Sequence, residues 1–543
     1  MDDAGLPVFP ERFNLADYLL AHNLEGSRGA RTAVLCGQER YTYAQVDSLA
    51  RRAAGALRGL GAGMEDRVLI VLPDGIEFVA AWLGTLKAGA VFAMANTIHT
   101  AEDYLYYLDY TRAPVAVVHA SVLDRFEAIL PRARHLQALL VAGGPPGRHP
   151  SFEAELARAP DRFETAETSA DDIAGWLFTS GSTGKPKAAV HFHQDFAYSI
   201  ETYARQVLAM RPGDVTVSVP KLFFGYATGT NLMFPFAAGG ATALFPERST
   251  PEAVFEMIAR HRPTVLTSVP TMINGMLQAA EGSSAPPDLS CLRVCLSAGE
   301  ALPAELYRRW KKTFGVEVLD GIGSAEMFHI YISNRFGDVR EESLGRLVPG
   351  YEARVVGPGG EDLPDGEQGT LWVKGGSTAL CYWQRRASSR ATFRGDWCVT
   401  GDQFRRDQEG YFYYCGRTDD MLKVGGIFVS PLEIEDCLLG HDAVREAAVV
   451  GEADDGGLTK PKAYVALKEG RSPSRELAFQ LKTHVKGRLA PYKYPRWIAF
   501  VQDLPRSDRG KVLRAALRDG GRALLTVAVA SSGADEEGGS DAR

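Results

Sequence analysis

Long apolar runs, surplus basic charge and paired cysteines are all missing from this 543-residue chain, and each absence removes a class of function. No stretch approaches the roughly 20 apolar residues of a membrane-spanning helix. Residues 523–530, the longest late candidate, fall far short. The 60 Lys and Arg are outnumbered by 67 Asp and Glu, leaving a net charge of −7. That balance lacks the basic field of a nucleic-acid binder or of a protein drawn to anionic membranes. Seven cysteines, at 36, 291, 295, 381, 398, 415 and 437, form no disulfide-like or metal-like pattern and read as reduced thiols. The opening MDDAGLPVFPERF is acidic and carries no apolar segment of the secretory type. These features lead us to expect a cytoplasmic protein with no nucleic-acid or membrane partner. The oligomeric state stays open.

What is present is ordinary globular material, 45% hydrophobic and 23% charged. A single core stops growing near about 250–300 residues, so at least two domains are expected. Val46, Leu49, Ala50, Ala53, Ala54 and Leu57 share one stripe, which predicts a helix over 43–60. A strand at 68–72, a helix at 76–88 and a strand at 91–94 follow. Short apolar runs recur at 115–118, 139–141, 241–245, 264–267, 292–296 and 316–319. Continuous Val, Ile and Leu runs between helices predict an α/β fold of mostly parallel sheets covered by helices.

After about residue 340 the texture changes. Residues 351–414 place Gly, Pro and Asp turns between short strands, as in a small barrel-like part or meander. From 417 a fresh mixture begins, with strands at 446–450 and 463–467 and an amphipathic helix at 474–489. The expected organisation is a large N-terminal domain over 1–416, a smaller mobile α+β domain over 417–519, and a polar, Gly-rich, disordered tail over 520–543.

The strongest local motif is TSGSTGKPK at 179–187, directly after the apolar Trp176, Leu177 and Phe178. Glycines admit close backbone approach to an anion, and Ser, Thr and Lys supply donors to phosphate oxygens. The loop is no Walker A sequence, because only two residues separate Gly181 from Gly184.

TSGSTGKPK resembles the phosphate loop of the acyl-adenylate-forming superfamily, which includes acyl-CoA synthetases and adenylation domains. SAGEALP at 297–303, DGIGSAE at 320–326, TGD at 400–402, GRTDD at 416–420, KVGG at 423–426 and LPRSDRGK at 504–511 resemble its further signatures in order. KLFFGYATG at 221–229 and DGIGSAEMFHI at 320–330 are most similar to benzoate- and related aryl-CoA ligases. The resemblance implies a two-step reaction. A carboxylate attacks the α-phosphorus of ATP to give an acyl-AMP, and a thiol, usually that of coenzyme A, then displaces AMP.

The resemblance also assigns roles. Thr179, Ser180, Gly181, Ser182, Thr183 and Gly184 would cradle phosphates. Lys187 either adds charge there or is an ordinary surface lysine. Glu326, with Thr183, would bind Mg²⁺. Ala298, Gly299, Glu300, Ala301, Asp320, Gly321, Ile322, Gly323 and Ser324 would border the adenine and the acid, and Asp402 and Arg417 would hold the ribose. Lys511 would bridge carboxylate and α-phosphate, Asp419 would be the hinge, and Lys423, Gly425 and Gly426 would meet the incoming thiol. Two departures stand out: Ala325 replaces the usual Thr before the glutamate, and Ile322 replaces an aromatic residue at the adenine.

The acid pocket is expected from Phe223, Phe224, Gly225, Tyr226, Ala227, Phe328 and His329, flat walls around a slot that suit a planar ring. Residues 221–230 hold no carboxylate to pair the ammonium of an α-amino acid, whereas benzoate or 2-aminobenzoate needs none. Three functions remain open on these residues: an aryl acid–CoA ligase, an enzyme loading the aryl group onto an acyl carrier protein, and, because of Ala325, a nucleotide-binding pseudoenzyme.

Overall fold

The computed structural model of the chain describes residues 5–179, 185–281, 287–299, 302–417, 421–424, 427–454, 459–489, 493–506, 511–518 and 523–529. Two large sheets dominate the N-terminal domain. One has seven strands, ordered Cys381–Tyr382, Lys187–Phe192, Ile173–Thr179, Val91–Met94, Arg67–Val71, Val115–His119 and Ala138–Ala142. The nine-stranded sheet runs from Arg346–Leu347 and Ile330–Ser333 through Val318–Gly323, Val294–Ser297, Val265–Ser268, Val215–Ser218, Ala241–Leu244 and Thr32–Cys36 to Glu39–Thr42. Both are parallel at their centres and antiparallel only toward their edges.

Double-sided burial explains the unbroken apolar runs. Val68 and Ile70 enter a core that Val294 and Leu296 of the other sheet share, while Leu69 and Val71 fill a separate core on the opposite face. Helices Tyr43–Gly59 and Ile76–Lys87 pack against each other, and a Cβ at Gly84 would lie 2.5 Å from the Ala53 Cβ. Only glycine permits that approach. The expected strands and the expected helices over 43–60, 76–88 and 474–489 stand at their anticipated places, with ends shifted by a few residues.

The turn-rich region is an antiparallel meander of Glu352–Val356, Gln368–Lys374, Phe393–Arg394, Trp397–Arg406 and Phe412–Arg417. The small C-terminal domain has its own core, including Ile434, Val449, Leu481 and Ile498. Its sheet contains Val444–Ala453, Thr459–Leu467, Trp497–Val501 and Leu525–Ala528, flanked by helices Pro431–Leu439 and Arg475–Lys486.

The last of those strands corrects the expectation of a disordered tail from 520. Leu525–Ala528 pairs antiparallel with Trp497–Val501, and Val527 and Val529 fill the small domain's core. The apolar run too short to cross a membrane is long enough to make an edge strand. Among the described residues no helix is long and apolar enough to span a membrane.

Candidate active site

A cavity of about 900 Å³ opens between the two domains. Strand ends bring the large-domain groups there. Thr179 closes one strand and Lys187 opens its antiparallel partner, directly opposite in register. The intervening Ser180, Gly181, Ser182, Thr183 and Gly184 lie outside the described residues, as do Glu300, Ala301, Asp419, Gly425, Gly426 and the side chain of Lys423. The Lys187 ammonium is half-buried, 3.6 Å from the centre of the Tyr382 ring. Burial lowers its pKa and the nearby Glu326 charge opposes that shift.

Glu326 sits in the short 3-10 turn Ala325–Met327, just after strand Val318–Gly323. Its carboxylate accepts a hydrogen bond from the Tyr382 hydroxyl. Burial, reinforced by that carboxylate, holds the phenol well above its ordinary range. The next bend is unusual. Phe328 has φ 63° and ψ −57°, and His329 N–H reaches the Met327 carbonyl at 2.8 Å. This is a γ-turn of the positive-φ kind, which a non-glycine residue adopts only under strain. The turn drives the Phe328 ring into the core, where it packs edge-on against Phe196 at 4.6 Å. The ring is buried there, and neither Phe328 nor the expected Phe223, Phe224, Gly225, Tyr226, Ala227, Ala298 and His329 is among the residues that line the cavity of about 900 Å³.

Gly321, Ile322, Gly323 and Ser324 line the cavity, and Gly299 joins them. The Ser324 Oγ is buried and has no hydrogen-bond partner among the described residues. Asp320 lies buried behind this wall, where Leu302 N–H reaches its carboxylate at 3.4 Å. Burial pushes that carboxyl up to about 7. On the meander, Asp402 and Arg417 are cross-strand neighbours, with the guanidinium 3.1 Å from the carboxylate. Burial raises the Asp402 carboxyl, and the charges of Arg417 and Lys511 pull it back.

The expected acid segment begins with helix Gly225–Thr228 and continues through the π-helical turn Gly229–Met233. Phe224 and Tyr226 are half-buried, and Ala227 and Ala298 are buried. A Cβ on Gly229 would lie 2.3 Å from His329 Cδ2, so glycine makes room for the imidazole. The ring centres of Tyr226, Tyr203 and Phe234 lie 5.5, 5.5 and 4.6 Å from that of His329. The His329 Nε2 lies 3.1 Å from the Tyr226 carbonyl. Deep burial keeps the ring neutral, its pKa pushed down to about 3.

The small domain supplies Lys511, exposed at the cavity's edge and close enough for its charge to act on Asp402. Arg506 forms an antiparallel bridge with Val512, the residue after Lys511. It donates to Thr271 Oγ1 of the large domain at 3.0 Å and to Glu446 at 2.8 Å. Tyr382, Tyr203 and Arg506 escaped the sequence reading. Tyr382 and Tyr203 come from distant segments with no motif spacing to mark them; Arg506 stood inside LPRSDRGK and its guanidinium was the available clue.

Two family models match the chain, "AMP-binding enzyme" over residues 20–383 and "AMP-binding enzyme C-terminal domain" over 433–511. A benzoate–CoA ligase of Thauera aromatica is 46% identical over 516 residues, covering 94% of this chain and 96% of the relative. A 4-hydroxybenzoate–CoA/benzoate–CoA ligase of Rhodopseudomonas palustris is 38% identical, covering 93% and 94%. Among solved structures, the anthranilate CoA ligase AuaEII with anthranoyl-AMP superposes with a TM-score of 0.90 at 39% identity, covering 94% of this chain and 98% of its own. A benzoate CoA ligase from Burkholderia xenovorans LB400 gives 0.86 at 43%, covering 93% and 100%.

Proposed function

The chain belongs to the AMP-binding enzyme family, and from that membership we propose that it is an ATP-dependent aryl acid–CoA ligase for benzoate or a substituted benzoate such as 2-aminobenzoate. In the first step a carboxylate oxygen of the acid bonds to the α-phosphorus of ATP and the bond to pyrophosphate breaks, leaving an aryl-AMP. In the second the CoA sulfur bonds to the acyl carbon and AMP leaves. Like charges 4 Å apart repel by about 4 kcal/mol at an effective dielectric of 20, so the first attack needs cations beside it. Lys511 serves that need at the carboxylate and α-phosphate, and Lys187 adds charge on the phosphate side.

Mg²⁺ fits the residues present. Glu326 offers hard carboxylate oxygens at the cavity wall, and the orphaned Ser324 hydroxyl awaits an oxygen partner there. When bound, the ion would neutralise triphosphate charge. Asp402, braced by Arg417, accepts from the ribose hydroxyls. Seven free cysteines, together with ATP and CoA as substrates, suit the cytoplasm.

One observation carries the choice of acid: segment 221–230 holds no carboxylate and packs its Tyr226 ring against a neutral His329. Because Nε2–H donates to the Tyr226 carbonyl, Nδ1 is left as a buried acceptor without a partner among the described residues. A buried acceptor left unsatisfied costs about 1–3 kcal/mol. An aryl acid with a ring N–H or O–H donor relieves that cost and unsubstituted benzoate does not. The test is pyrophosphate release across a panel of benzoate and its amino and hydroxy relatives, followed by thioester formation with free CoA. We expect donor-bearing acids to lead the panel and CoA to be acylated. Acid-dependent pyrophosphate release without any CoA thioester would move the acceptor to a carrier-protein thiol. No acid-dependent release at all would leave a nucleotide-binding pseudoenzyme.

A further inference from the structure

Three successive carbonyls of the strained segment that carries Glu326 are each held from outside. The Ala325 carbonyl accepts from His191 Nε2 at 2.7 Å, that of Glu326 from Ala379 N–H at 2.8 Å, and that of Met327 from Ser377 Oγ at 2.8 Å. Ser377 and Ala379 belong to one loop, just before strand Cys381–Tyr382. His191 is different in kind. It is a wholly buried side chain at the penultimate position of strand Lys187–Phe192, so its bond ties the seven-stranded sheet to the turn at the end of the nine-stranded one.

The imidazole has no freedom to turn away. Its Nδ1 faces Asp195 Oδ2 at 3.0 Å, and the same oxygen accepts Phe192 N–H at 3.1 Å. The Ala325 carbonyl can only accept, so Nε2 donates to it, and the contact with Asp195 on the other nitrogen fixes the edge that meets Ala325. Burying such a pair is costly compared with an apolar residue of similar volume. A cost of that size persists where an orientation must be held, and the strained γ-turn at Phe328 is such a place.

Resting on the functional reading above, we propose that His191, oriented by Asp195, is a positioning residue for the first half-reaction. It holds the Ala325 carbonyl, and through it the Glu326 carboxylate, in the conformation that meets the triphosphate. Outer groups of this sort change metal affinity or rate by about 10–100-fold when removed.

The test compares His191→Leu, which fills the space without a donor, with His191→Gln, which keeps a side-chain N–H within reach of Ala325. In the full-length protein without acid, calorimetry should show Mn²⁺–ATP binding weakened about 10–100-fold by Leu and largely restored by Gln. Pyrophosphate release should follow the same pattern, while conversion of supplied aryl-AMP to thioester stays unchanged. Undiminished Mn²⁺–ATP binding in a folded Leu variant overturns the proposal. So does equal loss in Leu and Gln, or a parallel fall in both half-reactions. Should the Leu variant not fold, Asp195→Asn against His191→Gln makes the same comparison, the former losing the orienting carboxylate. An unmodified enzyme that releases no pyrophosphate with any aryl acid would instead defeat the functional reading, an outcome plainly distinct from these.

Discussion

Asp402 and Lys511 approach one cavity from two domains, and they are held in opposite ways. Asp402 is buried, fixed by strand register against Arg417, and its backbone N–H is tied to Thr400 at 3.1 Å. Glu326 has the Tyr382 hydroxyl on its carboxylate and external donors on the carbonyls of its turn. Lys511 stands exposed beside Val512, whose bridge partner Arg506 makes the described tie to the Thr271 hydroxyl of the large domain. The large-domain groups are thus held by several bonds each, while Lys511 stands exposed beside one described tie, and we propose that its wall can be withdrawn. That contrast suits a reaction whose first step needs a lysine at the α-phosphate and whose second needs room for a thiol.

The contrast breaks most visibly at Lys511. Lys511→Ala should lower acid-dependent pyrophosphate release by about 10²–10³-fold or more, the loss typical of one preorganised electrostatic donor. Thioester formation from supplied aryl-AMP should survive. Equal loss of both steps would mean that the lysine serves no single half-reaction.

Arg506 tests the same wall one step back. A hydrogen bond to a charged group is worth about 1.5–3 kcal/mol, so Arg506→Ala should slow adenylation about 10–100-fold and leave the second step almost untouched. Thr271→Ala should reproduce part of the loss. In the double variant the two effects should overlap rather than add, as expected of residues in contact. Strict additivity would show that the pair does not act as a latch.

The large-domain wall should instead be intolerant of one added carbon. Gly229→Ala places a methyl 2.3 Å from the His329 ring, and overpacking of this kind costs about 1–3 kcal/mol. Displacing His329 should raise KM for the aryl acid about 5–100-fold at unchanged KM for ATP. An unchanged acid KM would place the ring's binding site elsewhere.

How far the sequence could be read follows the same division. The strands at 68–72, 91–94 and 115–118 were legible because both faces are apolar, and burial on two sides leaves no alternation to misread. Thr179, Glu326, Asp402 and Lys511 were legible because each sits inside a short contiguous motif, and all four reach the cavity. The turn at Phe328 was not legible because its neighbours, not its own type, force a positive φ and swing the ring into the core. Tyr382 stands 56 residues from the Glu326 it contacts, so no local pattern could pair them. The strand Leu525–Ala528 was hidden by the polar sequence around it, since four residues gain stability only from the strand they join.

The smallest effect is expected where the large-domain wall departs from its family. Ala325 lacks the usual hydroxyl, and a hydrogen bond is worth about 0.5–1.5 kcal/mol, or about 2–12-fold in rate. Ser324 is next to it, its Oγ buried and without a partner among the described residues. If that hydroxyl already meets the nucleotide, Ala325→Thr should leave pyrophosphate release nearly unchanged, and the same substitution in a Ser324→Ala background should recover most of what that background loses. If it does not, Ala325→Thr alone should accelerate the step by up to about 10-fold. A loss of that size would contradict both outcomes and show that the space beside Tyr382 and Ala379 has no room for the extra atoms, because Ala325 packs against that small apolar cluster.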